Sequence, residues 1–323
     1  MPDPRLPDLD PKAQRGTALA DVRASAGASG RLPRLQRLAV VGLLVAMLLV
    51  WISPALARDR AVAAPPGVAV APPSPAALAL LDAAIAQGRL ADARALLAPL
   101  WATDSEEVAL RAAELALASG SLAEAAEGFG QLGTGPLAAR GLQGLGITRL
   151  KQGRLADAMA ALDAAVALDA GLSRAWNARA VVADRQKDWA TADVAYARAI
   201  AAAPADAAVL ANRGWSLLLR GRHVAAERDL ERALALAPAD RVVQTNLALA
   251  RAMQGRYQEA FRHSSRASLA GDLNSVGYAA MARGDLAVAE AYFNRALSLN
   301  PQFDRAAWAN LQYLAELKGR PQP

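Results

Sequence analysis

The sequence predicts an all-α fold built as a solenoid of helical hairpins, and three observations support that prediction. Hydrophobic residues make up 54% of the 323 residues, yet aromatic residues make up only 5%. Alanine supplies much of the apolar content, and it is the best helix former because it loses no side-chain entropy in a helix. Small residues also recur at a fixed interval, which is the sequence signature of a repeat architecture.

The repeat is clearest in three consecutive windows of 34 residues, 139–172, 173–206 and 207–240, which align without insertion or deletion. Positions 8 and 20 of the window are small, whereas position 24 is large. Position 8 holds Gly146, Ala180 and Gly214. Position 20 holds Ala158, Ala192 and Ala226, and position 24 holds Leu162, Tyr196 and Leu230. The small residues predict that the two helices of a hairpin approach closely, with the residue at position 24 filling the space beside them.

The same windows contain signals for the ends of both helices. Gly153 and Gly221, at position 15, predict the end of the first helix because glycine adopts a left-handed backbone at little cost. Pro204 and Pro238, at position 32, predict the end of the second helix because proline cannot donate the helical hydrogen bond. A single hairpin cannot bury its own apolar face, so successive hairpins are expected to stack.

This pattern resembles the tetratricopeptide-repeat (TPR) family, and the resemblance implies a superhelical solenoid that binds other proteins. With small slips the pattern extends to seven units over residues 74–303, followed by a capping helix and tail over 304–323. The units are 74–105, 106–138, 139–172, 173–206, 207–240, 241–269 and 270–303. In the capping helix, Trp308, Leu311 and Leu314 are expected on the face that covers the last unit.

Two units depart from the pattern. Pro99 falls inside the predicted second helix of unit 74–105. Unit 241–269 is five residues short, which is more than one helical turn, although Ala260 and Ala267 keep the small residues expected in its second helix. A deletion tolerated at a helix end and a functional widening of a binding groove would both explain this shortening.

The sequence of the N-terminal region predicts that the rest of the chain is exported from the cytoplasm. Residues 1–37 are rich in Pro, Ala, Gly, Asp and Arg without apolar periodicity, which predicts a disordered cytoplasmic leader. Residues 38–57 are uncharged and follow Arg31, Arg34 and Arg37. This asymmetry of positive charge predicts that the leader stays in the cytoplasm and that the rest of the chain crosses the membrane.

Residues 38–57 fit two kinds of segment. They are long enough for a transmembrane anchor, and Ala55-Leu56-Ala57 fits the cleavage site of a signal peptide. The Pro/Ala-rich linker 58–73 that follows predicts an extended spacer. The expected location is therefore periplasmic, either anchored in the inner membrane or released after cleavage at Ala57.

Catalytic, cofactor and metal sites are not indicated, and the chain is not expected to be an enzyme. The absence of cysteine excludes disulfides, thiolate zinc sites and cysteine nucleophiles. The only two histidines, His223 and His263, lie in no motif. The segment GFGQLG at 128–133 matches a dinucleotide fingerprint, but it follows a predicted helix and lacks the preceding strand that such a site needs. The glycines within residues 141–146 are better explained by close helix contacts.

The charge distribution does not indicate a nucleic-acid ligand. The chain carries a net charge of +6, but 7 of its 36 basic residues and 4 of its 30 acidic residues lie before residue 38. The remainder has 29 basic and 26 acidic residues, and no basic run is interleaved with aromatic residues. Nucleic-acid binding is therefore not expected, and neither is a small-molecule substrate.

The resemblance to TPR proteins also implies where a protein or peptide partner binds. In that family the first helices line a concave groove, and positions 2, 5, 6, 9, 12 and 13 of each unit point into it. At these positions the chain combines amides, which can bond a peptide main chain, with large apolar anchors and basic groups. The groove candidates are Asn177, Asn212, Trp215, Asn246, Leu249, Met253, Asn274, Tyr278, Met281, Arg140, Arg174 and Arg185, with Ile147, Val181, Leu218 and Lys151 at further groove positions.

Two stretches carry a closer resemblance. Residues 242–260 (VVQTNLALARAMQGRYQEA) and 274–285 (NSVGYAAMARGD) are similar to the TadD-like TPR proteins of bacterial tight-adherence (Flp) pilus assembly. The resemblance implies a periplasmic assembly factor for a pilus or secretion system. Members of that group are often lipoproteins, and this chain departs from them in having no cysteine. A TPR subunit of another envelope machine (cytochrome c maturation, outer-membrane assembly) and a regulatory partner of an envelope enzyme remain alternatives.

Overall fold

A computed structural model describes residues 72–103, 105–299 and 305–319, and every regular element within these ranges is a helix. The predictions made for the leader 1–37, the hydrophobic segment 38–57 and most of the linker 58–73 lie outside the described residues. Within the described ranges, no helix combines the length and the apolar character needed to cross a membrane.

The described helices alternate as the first and second helices of successive hairpins. The first four hairpins are α1 (Pro75–Ala86) with α2 (Leu90–Leu97), α3 (Glu106–Ala118) with α4 (Leu122–Gln131), α5 (Ala138–Lys151) with α6 (Leu155–Leu168), and α7 (Ser173–Gln186) with α8 (Trp189–Ala202). Then follow α9 (Ala207–Leu219) with α10 (His223–Leu236), α11 (Arg241–Ala252) with α12 (Tyr257–Ala260), α13 (Leu269–Arg283) with α14 (Leu286–Leu299), and α15 (Arg305–Gly319).

The first helices of units 139–172 and 207–240 end at the glycines that the repeat pattern predicts, Gly153 and Gly221. Asp206 and Asp240 precede α9 and α11, and their carboxylates accept hydrogen bonds from the first free backbone N–H groups. Every first helix from α1 to α13 is followed by a residue with a positive φ, which is glycine in six units. The exception is Lys187, whose φ of 61° places a residue with a side chain in the left-handed region.

Small residues at positions 8 and 20 bring the helices of a hairpin together, as predicted. A Cβ atom added to Gly146 would lie 2.5 Å from Leu162 Cγ, and one added to Gly214 would lie 2.7 Å from Leu230 Cγ. Position 20 is an alanine that is buried in every unit. Positions 8, 20 and 24 therefore form the contact within the hairpins of units 139–172 and 207–240.

The hairpins stack in order along the chain. In the regular units, each first helix contacts its own second helix and the first helix of the next unit, as α7 contacts α8 and α9. The second helix also contacts the next first helix, as α8 contacts α9. The first helices therefore form one continuous layer and the second helices a second layer, which confirms the predicted stack of hairpins.

The structure corrects the two irregular units. Helix α2 ends at Leu97 and continues as a 3-10 helix over Ala98–Thr103, because Pro99 cannot donate an α-helical hydrogen bond. In unit 241–269, α12 has only 4 residues, so the deletion removes most of the second helix rather than its end. Ala267 lies exposed in a turn and is not the buried helical alanine that the repeat alignment predicts.

Helix α15 covers the last hairpin, but through a different face from the predicted one. Ala307, Asn310 and Leu314 are buried, and Leu311 packs partly against the same core. Trp308 is 47% exposed, so the prediction that it lies on the covering face is wrong. Helix α15 contacts both α13 and α14, as the first helix of a further unit would.

Candidate protein-interaction surface

The first helices present a row of amide side chains, and most of these amides bond one another. Asn212 Nδ2 donates to Asn177 Oδ1 at 3.1 Å, which links α9 to α7. Asn310 Nδ2 donates to Asn274 Oδ1 at 2.9 Å, which links α15 to α13. We call the face of the first helices that carries these contacts the first-helix surface. The amide pairs stabilise the stack, and Asn274 is buried, so they are poorly placed to meet a ligand.

Asn246 differs from the other four amides. It lies on α11, between the helices that carry the two amide pairs, and its side chain makes no hydrogen bond to any residue that the structure describes. It is half-buried. Because an amide has both donors and an acceptor, Asn246 retains the capacity to bond a peptide main chain.

Large apolar side chains lie on the same helices. Trp215 and Leu249 are half-buried and pack with one side against the core around Leu217 and Leu247. Met253 is also half-buried, whereas Met281 is only 8% exposed and belongs to the core. Trp215 and Leu249 therefore hold fixed positions and still offer apolar surface, the combination expected of an interface anchor.

Tyr278 has a buried hydroxyl group without a hydrogen-bond partner among the described residues. Burial, with a smaller contribution from Tyr313, raises the pKa of Tyr278 to about 12, so the hydroxyl keeps its proton at neutral pH. A buried hydroxyl that makes no hydrogen bond costs free energy.

The front of the first-helix surface, on α1, α3, α5 and α7, is charged. Arg111 is buried, and its guanidinium contacts Asp82 at 2.8 Å and Glu107 at 2.5 Å. These three residues are missing from the sequence-based list, although they occupy groove positions 6, 9 and 2 of the first two units. The weaker repeat pattern of those units concealed them.

The predicted groove residues Arg140 and Arg174 lie beside this cluster, and both face Glu114 of α3. Arg140 Nη2 lies 3.9 Å from Glu114 Oε1, and Arg174 Nη1 lies 4.0 Å from the same oxygen. Arg174 thus contacts a unit two places earlier in the chain. Burial raises the pKa of Glu114, and Arg174 and Arg140 offset this only in part.

The remaining basic candidates lie near the last turns of the same helices. Arg185 is exposed, and its Nη1 donates to the backbone oxygen of Leu150 at 3.2 Å. Lys151 is exposed and has no ion pair with a described residue. The basic groove candidates therefore all lie on α5 and α7, whereas α9, α11 and α13, the back of the surface, carry only amide and apolar candidates.

The features that superficially suggest chemistry have structural explanations. Residues 128–131 of the glycine motif lie inside α4, and Gly144 packs against Phe129, so the segment is a helix contact and not a phosphate cradle. Burial lowers the pKa of both His223 and His263. In the described part of the chain, no three His, Asp or Glu side chains are grouped to hold a metal ion.

Comparisons with known proteins identify the repeat. Residues 144–192 and 273–303 each match a family model described as a tetratricopeptide repeat. No curated protein sequence matches this chain.

Among solved structures, the chain resembles one in the APC/C hetero-tetramer Cut9-Hcn1, with a TM-score of 0.60 and 15% identity over 74% of this chain and 49% of that chain. This chain thus spans about half the length of that one. A TPR protein from Parabacteroides merdae has a TM-score of 0.47 and 13% identity, covering 74% of this chain and 98% of that one. PilF of Pseudomonas aeruginosa has a TM-score of 0.42 and 22% identity, covering 56% and 84%.

The match to the chain in the Cut9-Hcn1 structure, at 15% identity, shows a shared fold and nothing finer. The two family matches lie in units 139–172 to 173–206 and in unit 270–303, where the structure has stacked hairpins with small residues at positions 8 and 20. Residues 144–192 and 273–303 of this chain are therefore similar to tetratricopeptide repeats.

Proposed function

We propose that this chain is a non-enzymatic scaffold that binds an extended or helical segment of a partner protein along its first-helix surface. The observation that carries the proposal is the amide of Asn246, which makes no hydrogen bond to a described residue and lies on the same helix as the half-buried Leu249. The half-buried Trp215 lies on the preceding first helix and packs against the same core as Leu249. Stacked repeats present extended binding surfaces, and a fixed row of anchors costs little entropy on binding.

Each of these side chains has a distinct part in binding. Asn246 donates to and accepts from the main chain of the bound segment, which is independent of the partner's sequence. Trp215 and Leu249 contact apolar side chains of the partner and select for them. The paired amides Asn177 and Asn212 hold α7 and α9 in register and contribute to binding only indirectly.

Truncation of Trp215 and Asn246 tests the proposal. We expect Trp215→Ala to weaken partner binding by about 2 kcal/mol, the effect of losing a central anchor. Asn246→Ala should also weaken binding, because it leaves a main-chain group of the partner unpaired. The measurement is recovery of partners by the purified chain, with the affinity of each recovered partner then determined by calorimetry.

Two control variants separate binding from folding. Trp189→Ala removes a half-buried tryptophan from the second helix α8 and should leave partner recovery unchanged. Asn212→Ala should lower the melting temperature more than Asn246→Ala does, because it breaks an existing amide pair. Full recovery of every partner by a folded Trp215→Ala/Asn246→Ala double variant would exclude this surface.

We further propose that the scaffold works in the bacterial envelope, as an assembly factor for a Flp/tight-adherence pilus or secretion system. The support is the arginine-flanked segment 38–57 and the similarity of residues 242–260 and 274–285 to TadD-like proteins. Genes for a pilin, a secretion ATPase and a secretin beside this one would favour this system over other envelope machines.

A topology experiment tests the location. A phosphatase fused to the C-terminus should be active, because residues 58–323 are proposed to lie in the periplasm. An intact but inactive fusion would contradict export. Mass spectrometry of the mature chain distinguishes an anchor from a signal peptide, since an N-terminus at Arg58 requires cleavage after Ala57.

A further inference from the structure

Arg140 and Arg174 form an incomplete charge site on the front of the first-helix surface. They occupy the same position of consecutive units, 34 residues apart, and lie 39% and 61% exposed at the side chain. Neither guanidinium makes a hydrogen bond to a residue that the structure describes. Their only common partner is Glu114, at 3.9 and 4.0 Å, which is beyond hydrogen-bond distance.

Glu114 makes no hydrogen bond to Arg140 or Arg174, and its carboxylate is partly buried. An arginine–carboxylate pair normally closes to about 2.7–2.9 Å through two parallel hydrogen bonds. The Glu114 side chain is 21% exposed, and burial raises its pKa despite the nearby Arg174 and Arg140. Glu107 Oε2 lies 3.7 Å from Arg140 Nη1, which is also beyond hydrogen-bond distance. Asp82 and Glu107 both pair closely with Arg111.

The helices α5 and α7 also carry further positive charge on this surface. Lys151 and Arg185 lie in their last turns without an ion pair to a described residue. The one carboxylate at a groove position of these helices, Asp184, accepts hydrogen bonds from Ser216 at 2.7 Å and Tyr196 at 2.8 Å and is therefore already satisfied. The groove positions of α5 and α7 thus carry four cations and one carboxylate, an excess that complements a negatively charged partner.

We propose that α5 and α7 bind an acidic segment of the partner protein, with an aspartate or glutamate side chain held between Arg140 and Arg174. In the free protein, Glu114 occupies the neighbourhood of this site and competes with the incoming carboxylate. The proposal rests on the function proposed above and adds the chemistry of the partner, since the front of the surface takes acidic residues and the back takes apolar ones.

Binding of a fluorescein-labelled octaglutamate peptide with blocked termini tests the proposal, measured by fluorescence anisotropy on the full chain in detergent. We expect Arg140→Gln/Arg174→Gln to weaken binding at least tenfold. Glu114→Gln should tighten it severalfold, because the internal competitor is neutralised. Arg140→Lys/Arg174→Lys, which keeps the charge but loses the planar fork, should give an intermediate loss and covers the case in which the glutamine variant does not fold.

The matched control is Arg198→Gln/Arg232→Gln. These arginines are also exposed and 34 residues apart, but they lie on the second helices α8 and α10, so their loss removes the same charge from another face. The control should change the affinity by less than twofold. Trp215→Ala should also leave octaglutamate binding within twofold, so this test is independent of the one for the apolar back.

Several results would overturn the proposal. If Arg140→Gln/Arg174→Gln and Arg198→Gln/Arg232→Gln weakened octaglutamate binding equally, the peptide would be attracted to the net charge of the chain and not to this site. Failure of the wild-type chain to bind octaglutamate, or weaker binding by Glu114→Gln, would exclude the site. Tighter binding of a single-stranded oligonucleotide of equal charge would identify a nucleic acid as the ligand instead. None of these results would affect the outcome expected for Trp215 and Asn246.

Discussion

Units 207–240 and 241–269 are neighbours in the stack, yet different interactions hold them together. In unit 207–240, helices of 13 and 14 residues pack through Gly214, Ala226 and Leu230. An ion pair between Arg213 and Asp229, at 2.6 Å, joins the same two helices. In unit 241–269, the second helix has only 4 residues, and too little helix remains for the same packing.

Charged groups replace the missing packing in the short unit. Arg251 is 4% exposed, and its guanidinium contacts Glu227 at 3.0 Å and Glu231 at 2.9 Å, both on the preceding α10. Arg256 adds a contact of 2.6 Å to Glu227. The rings of Phe261 and Tyr292 also pack together, with their centroids 5.4 Å apart.

The comparison shows that the first helices keep their register even where a second helix is nearly lost. Gly255 still ends α11 at the expected position with a φ of 80°. Helix α11 contacts both α9 and α13, so the first-helix layer passes through the short unit without a break. This favours a tolerated deletion over a widening of the binding surface.

The largest expected effect of a single substitution is that of Arg251→Met. It leaves Glu227 buried beside fewer positive charges, which typically costs about 3–5 kcal/mol. The control Arg154→Met breaks an exposed pair with Asp157 and should cost about 0–1 kcal/mol. Urea unfolding of both variants at neutral pH measures the difference, and equal losses would show that the buried network does not hold the short unit.

A smaller effect is expected from overpacking the small residue at position 20. Ala226→Leu should cost about 1–3 kcal/mol, because the two long helices of unit 207–240 cannot separate easily. Ala260→Leu, at the equivalent position, should cost less since the single turn of α12 can move. Thermal melting compares the two, and an unchanged midpoint for Ala226→Leu would refute the close approach of α9 and α10.

The pH dependence of stability should be opposite in sign for Glu227 and Glu114. Burial raises the pKa of Glu227, but hydrogen bonds from Gln254, Arg251 and Arg256 outweigh this and hold the pKa below the ordinary 4.5. Its folded pKa is thus below its unfolded pKa, so its contribution to stability is present above about pH 4.5 and is lost as the pH falls through the folded value.

Glu114 reverses this dependence because its folded pKa is raised. Its charged form opposes folding at neutral pH, and this cost disappears as the pH falls through the folded pKa. We therefore expect Glu114→Gln to stabilise the chain at pH 7 and Glu227→Gln to destabilise it. Unfolding curves measured between pH 3 and pH 7 test both signs, and a destabilising Glu114→Gln would contradict the account.

The smallest effect concerns the end of the first helix in unit 173–206. Lys187 has a φ of 61° where unit 207–240 has Gly221 with a φ of 73°. Lys187→Gly should stabilise the chain by about 0.5–1 kcal/mol by relieving the left-handed backbone, and Gly221→Lys should destabilise it by a similar amount. A loss of stability in Lys187→Gly would show that the lysine side chain contributes more than its backbone costs.

Contacts within one hairpin were predictable from the sequence, because they follow from the spacing of residues along the chain. Gly214 and Leu230 contact each other because both belong to one hairpin, whose two helices are fixed by local periodicity and helix-end signals. The same reasoning predicted the end of the first helix at Gly153 and Gly221, both of which have a positive φ. It did not place the deletion within unit 241–269, because a shortened unit can lose residues from either helix or from the turn.

The candidate surface was predictable only as a set of positions. Sequence reasoning treated Asn177, Asn212, Asn246 and Asn274 alike, whereas the structure pairs three of them with neighbouring amides. Whether two amides pair depends on the geometry of side chains in neighbouring repeats, and the periodicity of the sequence does not report that geometry. The buried role of Glu227 was missed for the same reason, since its partners Arg251 and Arg256 belong to the next unit.

The central claim is that a partner protein lies on the first helices and not on the second helices. A photo-crosslinking amino acid placed at Leu249 on α11, or at Val194 on α8, tests it most directly in living cells. Val194 is 58% exposed, so it is the more accessible position by area alone. We predict a crosslinked partner from position 249 and none from position 194. Crosslinking from position 194 with none from 249 would contradict the claim.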